Sequence, residues 1–230
     1  MNNKKILVTN DDGIDSHGLI AIESLIKLFG GQDINTIAPS KDHSCCSHSI
    51  STSKYINFTK HTDKKSSING TPVDCVLVGI ERLKTIDAIF SGINLGANIG
   101  NDIFYSGTVA AAIRGSLNSI PSIAISRLHG RDNDSWDFLL KNQNIITKLK
   151  NIIEEYIENY TQNMILNINI PFDKIDNILI EDHAQENCFK RKYEYKDNQY
   201  YIADILNSTK TVNKLKNNSI IINYLCLKYE

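Results

Sequence analysis

The feature that most limits the fold is an alternation of strand and helix patterns that begins at the N-terminus. Lys4–Asn10 (KKILVTN) is a short apolar run typical of a buried strand, and Asp33–Pro39 (DINTIAP) is a second one. Between them, Gly18–Gly30 places apolar residues at helical spacing. Strands joined through a helix pair in parallel, so the chain opens as a layered α/β unit.

The same alternation continues through the first two-thirds of the chain. Further helices are predicted at Thr71–Leu83, Ser106–Ser119 and Ser135–Tyr160, and further strands at Lys54–Lys60, Asp87–Asn94, Pro121–Arg127 and Met164–Pro171. The pattern predicts an α/β fold with a Rossmann-like, doubly wound, mostly parallel sheet.

The character of the sequence changes after residue 180. Lys190–Ile205 pairs two aromatic-rich runs around Lys196–Gln199, which predicts an exposed C-terminal β-hairpin extension. We therefore expect an α/β core over residues 1–180 and a hairpin and tail over residues 181–230. The hairpin packs either on another subunit, as an oligomerisation element, or back on its own domain.

Composition excludes several classes of partner. Lys and Arg number 25 against 26 Asp and Glu. The chain therefore lacks the excess of basic residues that is typical of a nucleic-acid-binding protein. No apolar stretch reaches the length of a membrane span, and the five cysteines form no CxxC pair. Such cysteines are typical of reduced thiols, so we expect a cytoplasmic protein without a membrane partner.

Polar residues gather where strands of the predicted sheet end. Ligands of a parallel sheet bind beyond the carboxyl ends of its strands. Four polar stretches fall on that edge: Asn10–Gly13, Ser44–Ser49, Ser91–Asn98 and Tyr105–Thr108. Their convergence predicts a single site.

Asp11 and Asp12 are the most informative pair in these stretches. Carboxylates together with hydroxyl and amide oxygens are hard ligands, which bind Mg²⁺, Mn²⁺ or Ca²⁺. A divalent cation would also relieve the repulsion between the two carboxylates. The alternative is a solvated Asx turn, but the position directly after a buried strand favours function.

Ser106, Gly107 and Thr108 open a predicted helix. Free N–H groups, the helix dipole and two hydroxyls are typical of an anion site, and Gly107 allows close approach. The alternative is simple N-capping by Ser106.

His43 and His48 are candidate general bases, whereas Cys45 and Cys46 lack an evident activating arrangement.

Taken together, several motifs resemble the survival protein E (SurE) family of 5′/3′-nucleotidases. The motifs stand in the family's order: ILVTNDDGI, IAPSKDHSCCSHSIS, NGTPVDCVLVGI, FSGINLGANIGNDIFYSGTVAAA and ILNINIP. They cover roughly residues 5–128 and a strand near residues 165–171. The combination of NDDG, SGIN-x-G-x-N and YSGTVAA is specific to this family.

The resemblance implies a phosphomonoesterase that hydrolyses nucleoside 5′- and 3′-monophosphates in a homodimer or homotetramer. It implies one divalent cation per subunit, Mg²⁺ or Mn²⁺. The implied metal ligands are Asp11, Asp12, Ser44 and Asn94, and the implied phosphate-side residues are Asn98, Ser106, Gly107 and Thr108. Asp11 and Asp12 are also the expected catalytic residues, because one of the two accepts the proton of the attacking water, and the sequence leaves open which of them does so.

Two departures from the family pattern stand out. Cys45 occupies the position after the metal-binding serine where family members usually carry glycine, and the C-terminal SIIINYLCLKYE replaces the usual threonine-proline-leucine strand end. The first bears on the geometry of the metal loop, and the second on the tail and the assembly.

The expected chemistry is hydrolysis by in-line attack of a metal-activated water. Short polyphosphate is a possible additional substrate. A haloacid-dehalogenase-type phosphatase would need a nucleophilic aspartate at Asn10, and an amide cannot form an acyl-phosphate. A nucleotide-sensing protein that binds without turnover is the alternative from another class.

Overall fold

A computed structural model describes residues 1–128, 135–181, 189–196, 198–206 and 209–227. Its strands are β1 (Lys5–Thr9), β2 (Asp33–Pro39), β3 (Phe58–Lys60), β4 (Lys65–Ile68), β5 (Ala88–Leu95), β6 (Ser122–Arg127), β7 (Met164–Ile170), β8 (Asn177–Ile180), β9 (Phe189–Lys196), β10 (Gln199–Leu206) and β11 (Ser219–Cys226). Its helices are α1 (His17–Leu28), α2 (Pro72–Leu83), α3 (Gly107–Leu117), α4 (Asp137–Leu140), α5 (Gln143–Glu158) and α6 (Lys210–Lys216).

Nine of these strands form one mixed sheet in the order β3-β4-β2-β1-β5-β6-β7-β11-β8. Neighbours from β4 to β7 are parallel, while β3 and β11 run antiparallel to β4 and β7. The strand order changes direction at β1, which lies between β2 and β5. The predicted α/β fold is confirmed.

Helices cover both faces of this sheet. Ile6 and Val8 of β1 belong to a core cluster that includes residues of α1, α4 and α5. Leu7 points to the opposite face and packs in a second cluster with residues of α2 and α3. This alternation along one strand is the period of two that a sheet buried on both faces requires.

Local sequence signals explain most element boundaries. Thr71 caps α2 with a complete capping box to Asp74, and Pro72 takes the first helical position, so the helix predicted from Thr71 begins where these residues place it. The single helix predicted at Ser135–Tyr160 is wrong, because the chain breaks into α4 and α5. The Asn142 side chain accepts a hydrogen bond from Ile145 N–H and so starts a new helix.

The C-terminal region has two parts. Strands β9 and β10 form the predicted hairpin as a separate two-stranded sheet. Strand β11, in contrast, enters the large sheet between β7 and β8, and α6 packs on it. Strand β11 follows residue 180 in the sequence but belongs to the sheet of the core. The division into residues 1–180 and 181–230 stays a prediction.

The described helices include none that combines the length and the apolar character needed to cross a bilayer.

Candidate active site

The predicted site residues lie at the carboxyl edge of the sheet, around the point where its strand order reverses. Asp11 and Asp12 follow β1, and Asn94 lies near the end of the neighbouring β5. Ligands of open α/β sheets bind in the crevice at such a reversal. The topology therefore brings together residues that are more than 80 positions apart in the sequence.

A cavity of about 240 Å³ lies at this edge. Six of the eight predicted site residues line it: Asp11, Asp12, Ser44, Asn94, Asn98 and Ser106. Gly107 and Thr108 are not among the lining residues, and Thr108 is fully buried. The structure thus brings the predicted metal and phosphate groups to one cavity, with Thr108 behind it.

Asp11 is fixed by the first turn of α3. Its Oδ1 accepts a hydrogen bond from the Thr108 hydroxyl at 2.6 Å, and its Oδ2 accepts from Thr108 N–H at 3.1 Å. A Cβ added at Gly107 would lie 3.0 Å from Asp11 Cβ and 3.1 Å from Cys46 Sγ, so glycine permits this close approach. Burial raises the pKa of Asp11, and the hydrogen bonds from Thr108 oppose that rise.

Asp12 has a different environment. Its Oδ2 is buried and has no hydrogen-bond partner among the described residues. Burial, then the neighbouring Asp11 and Asp42 carboxylates, raise the pKa of Asp12 to about 7. A buried oxygen without a partner is costly, and a cation is the kind of ligand that would satisfy it.

Ser44 is positioned by Asp42. The Asp42 Oδ1 accepts from Ser44 N–H at 2.7 Å and from the Ser44 hydroxyl at 2.6 Å. Because the hydroxyl hydrogen goes to Asp42, the lone pairs of Ser44 Oγ remain for another ligand.

Asn94 follows the same principle. A register shift between Ser91 and Asn94 interrupts the pairing of β5 with β6. The Asn94 Nδ2 donates to the Gly96 carbonyl at 2.6 Å, which leaves its Oδ1 as the atom that would bind a cation.

This donor set fits a hard divalent cation. Two carboxylates, one hydroxyl oxygen and one amide oxygen line the cavity, and these are ligands that Mg²⁺ and Mn²⁺ accept. Within the described residues, no group of three or more His, Cys, Asp or Glu side chains is arranged to hold a metal ion. The site therefore depends on the neutral oxygens of Ser44 and Asn94 for half of its predicted protein ligands.

Two of the predicted phosphate-side residues, Ser106 and Asn98, line the same cavity. Ser106 caps α3, because its hydroxyl oxygen accepts from Val109 N–H at 3.1 Å. Asn98 is 7% exposed and donates from Nδ2 to Ser126 Oγ at 2.7 Å, which leaves a second amide hydrogen. The N-capping alternative for Ser106 is therefore realised, and the capping hydroxyl still keeps its own hydrogen.

Asn10 shapes the turn that carries the aspartates. Its Nδ2 donates to the Gly13 carbonyl at 2.9 Å and to Ser16 Oγ at 2.7 Å, and its Oδ1 accepts from Gly13 N–H. Asn10 is fully buried, so it is a structural residue of the loop. A covalent phosphatase mechanism has no nucleophile at this position.

The candidate histidines do not enter the cavity lining. His48 lines a separate, mostly apolar cavity of about 640 Å³ with Phe104 and Arg114, and partial burial and then Arg114 lower the pKa of His48. His43 donates its backbone N–H to the Asp11 carbonyl, while its ring Nε2 is buried without a partner among the described residues.

The cysteines of the serine loop differ from each other. Cys45 lines the cavity, is exposed and has a φ of 57°, in the left-handed region that favours glycine. Burial, then the Asp11 carboxylate, raise the pKa of Cys46 to about 11, so this thiol is protonated at neutral pH. A thiolate nucleophile at Cys46 is therefore disfavoured.

Sequence reasoning missed several residues of this site. Asp42 lies two positions before Ser44, and its D-x-S spacing is the signal that was available. Asp102 lines the cavity without a local pattern that sets it apart. Asn167 and Asn169, the two asparagines of ILNINIP, are fully buried beneath the site, and polar residues alternating with isoleucine in a core strand were the signal.

A family model described as survival protein SurE matches residues 6–195. The chain belongs to the SurE family. The match includes every residue of the cavity described above, and it extends from the N-terminal strand into β9 of the hairpin.

Relatives across bacteria are similar over most of the chain. A protein of Caldanaerobacter subterraneus subsp. tengcongensis named 5′-nucleotidase SurE is 35% identical over 228 residues, covering 92% of this chain and 86% of that protein. One of Campylobacter lari with the same name is 39% identical over 175 residues, covering 74% of this chain and 68% of that protein.

A solved structure matches the whole architecture. The crystal structure of the SurE protein from Aquifex aeolicus superposes with a TM-score of 0.79 at 27% sequence identity. The match covers 98% of this chain and 94% of the Aquifex chain.

Proposed function

We propose that this SurE-family protein is a divalent-metal-dependent phosphomonoesterase that hydrolyses nucleoside 5′- and 3′-monophosphates to nucleoside and phosphate. The observation that carries the proposal is the single cavity lined by Asp11, Asp12, Ser44, Asn94, Asn98 and Ser106. Relatives named 5′-nucleotidase SurE support the choice of a nucleotide substrate.

Asp11, Asp12, Ser44 and Asn94 would hold one cation per subunit, Mg²⁺ or Mn²⁺. Such a cation supplies Lewis-acid polarisation of the phosphoryl group and lowers the pKa of water. The Ser44 hydroxyl donates its hydrogen to Asp42, and the Asn94 amide donates a hydrogen to the Gly96 carbonyl. Ser44 Oγ and Asn94 Oδ1 therefore keep lone pairs for the cation.

Asn98 and Ser106 would bind the phosphoryl oxygens. The second amide hydrogen of Asn98 and the hydroxyl hydrogen of Ser106 are donors on the cavity wall. The N-terminal end of α3, which Ser106 caps, adds the positive end of the helix dipole. These groups stabilise the negative charge that develops on the non-bridging oxygens.

Asp12 is the proposed general base. Both carboxylate oxygens of Asp11 accept hydrogen bonds from Thr108, whereas Asp12 Oδ2 has no partner among the described residues. Asp12 is therefore the aspartate whose carboxylate is less engaged by the protein, and it would accept the proton of the attacking water.

The test is phosphate release from a panel of nucleoside 5′- and 3′-monophosphates, with EDTA and with added Mg²⁺ or Mn²⁺. Asp12→Asn should reduce turnover by about 10²-fold or more, the typical cost of removing a charge-stabilising group. Asp137→Asn is the matched control, because Asp137 is an exposed partner of Lys141 away from the cavity. Tight nucleotide binding with no phosphate release in Mn²⁺ would instead support the nucleotide-sensing alternative.

Short-chain polyphosphate belongs in the same panel as a proposed additional substrate. The contacts proposed above engage the transferred phosphoryl group and leave the leaving group unspecified. Release of phosphate from polyphosphate that requires Asp12 would place both activities in one site.

The hairpin is the proposed element of a homodimer or homotetramer. Tyr193, Tyr195 and Tyr201 are 62%, 59% and 67% exposed, and β9 and β10 pair with each other outside the large sheet. Replacing these three tyrosines by serine should lower the mass measured by light scattering if they contribute to subunit contacts. An unchanged mass would contradict this role.

A further inference from the structure

Two buried asparagines of β7 hold the backbone of Asn98. Asn169 Oδ1 accepts from Asn98 N–H at 2.8 Å, and Asn169 Nδ2 donates to the Asn98 carbonyl at 3.1 Å. Asn167 Nδ2 donates to the same carbonyl at 2.9 Å. One carboxamide thus binds both backbone groups of Asn98, as a neighbouring strand would.

These contacts continue a row of residues that crosses three strands. Asn94 of β5 pairs in register with Ser126 of β6, and Ser126 pairs with Asn169 of β7. Ser126 also accepts from the Asn98 side chain. The row therefore connects Asn94, at one end of the Leu95–Ala97 segment, with the residues that fix Asn98 at the other end.

The two asparagines are costly as core residues. Both are fully buried in β7, where isoleucine or valine would pack without a polar group to satisfy. Asn167 Oδ1 has no hydrogen-bond partner among the described residues, so its burial is only partly compensated. Their hydrogen bonds to a residue 69 and 71 positions earlier in the chain give them a role that packing alone does not explain.

We propose that Asn169 and Asn167 are positioning residues that fix Asn98 and the Leu95–Ala97 segment so that the phosphate-binding amide is pre-organised. The functional part of this inference rests on the proposed phosphatase activity. The structural part is independent of it, because the three hydrogen bonds from Asn167 and Asn169, which we call the clamp, act on the backbone of Asn98.

The structural part is tested by amide hydrogen exchange in the full-length protein. Asn169→Ala removes two of the three clamp bonds, so exchange of the Asn98 amide should accelerate by about tenfold or more. Asn223→Ala is the matched control: Asn223 is also buried, donates to the Glu181 carbonyl and pairs with Asn167 from β11. Equal Asn98 exchange in wild type and folded Asn169→Ala would overturn the clamp.

The functional part is tested by binding inorganic phosphate and Mn²⁺ separately. Asn169→Ala should weaken phosphate binding by about 10- to 100-fold, the range seen when residues that orient a site are lost. Mn²⁺ affinity should change much less, because Asn94 stays paired with Ser126 of β6 in the backbone of the sheet. Unchanged phosphate affinity, or equal losses for phosphate and Mn²⁺, would overturn the positioning role.

A second variant with a smaller change keeps the proposal testable if Asn169→Ala does not fold. Asn167→Ala removes one clamp bond and leaves both Asn169 bonds, so a smaller effect in the same direction is expected. If Asn169→Ala fails to fold, this variant decides the question by the same two measurements. A wild-type protein that hydrolyses no nucleotide but protects the Asn98 amide would refute the proposed function and leave the clamp intact.

Discussion

Thr108 donates two hydrogen bonds to the Asp11 carboxylate across 97 positions of the chain. The hydroxyl contact is 2.6 Å long, the backbone contact is 3.1 Å long, and both residues are buried. The first turn of α3 therefore stabilises the charged carboxylate that follows β1. The structure gives Thr108 this holding role, while its predicted contact with phosphate stays a prediction.

Thr108→Val should impair the site while keeping the fold. Valine preserves the β-branched shape and the backbone N–H but removes the hydroxyl that donates to Asp11 Oδ1. A hydrogen bond to a charged group contributes about 1.5–3 kcal/mol, so we expect about a tenfold to hundredfold loss of kcat/KM and weaker Mn²⁺ binding. Phosphate release and isothermal titration with Mn²⁺ measure the two effects.

Thr36→Val is the control for this change. Thr36 is also buried, and its hydroxyl donates to Glu23 Oε1 at 2.7 Å, away from the cavity. This variant should lose some stability and keep its Mn²⁺ affinity. Similar Mn²⁺ affinities for Thr108→Val and wild type would contradict the holding role of Thr108.

Much of the core fold and the location of the site could be predicted because their signals are local. The apolar run before Asp11, the capping residues Thr71 and Ser106, and the polar stretches after the strands all stand in short segments. The parallel pairing of a strand–helix–strand unit then places those stretches on one edge. The structure brings Asp11, Ser44 and Asn94 to one cavity as that reasoning expects.

The remainder depends on contacts between distant segments. Nothing in SIIINYLC indicates that β11 lies between β7 and β8, because strand pairing at that distance has no local signature. For the same reason, the sequence does not show that Thr108 donates hydrogen bonds to Asp11. Nor does it show that Asn169 binds the backbone of Asn98. Helix periodicity alone also failed to show that Asn142 begins a new helix.

The stability of the metal-free protein should fall as the pH rises from 5 to 8. The pKa of Asp12 is raised to about 7 in the folded protein from an ordinary value of 3.8, chiefly by burial. The folded state therefore binds this proton more tightly than the unfolded state, and its contribution to stability is lost as the pH rises through 7. Thermal unfolding in EDTA across this range measures the effect.

Two comparisons isolate the contribution of Asp12. Asp12→Asn removes one titrating group and should weaken the pH dependence, while Asp11, whose pKa is also raised, and His48, whose pKa is lowered, remain in both proteins. Saturating Mn²⁺ should stabilise the wild type most at the high end of the range, since a bound cation favours the ionised carboxylate. A wild-type profile that matches that of Asp12→Asn would refute this prediction.

Asp42 should influence Mn²⁺ binding through Ser44. Asp42→Ala removes the oxygen that accepts from both Ser44 N–H and the Ser44 hydroxyl. By analogy with other residues that orient metal ligands, we expect about a 10-fold loss of Mn²⁺ affinity. Asp42→Asn keeps an acceptor oxygen and should retain more affinity; an equal loss in the two variants would show that the charge of Asp42 matters and the orientation of Ser44 does not.

Three substitutions of Cys45 distinguish whether its backbone conformation or its thiol affects stability and Mn²⁺ affinity next to Ser44. With a φ of 57°, residue 45 is in a region where non-glycine residues are strained by about 1–3 kcal/mol. Cys45→Gly relieves this strain but makes the unfolded chain more flexible, so stability should change little. Cys45→Ala should resemble the wild type, and Cys45→Val should lose both stability and Mn²⁺ affinity, because β-branched residues fit this region worst. Thermal unfolding and Mn²⁺ titration of the three variants distinguish the causes: a loss of Mn²⁺ affinity in Cys45→Ala and Cys45→Gly as large as in Cys45→Val would identify the thiol itself as a contributor to the site.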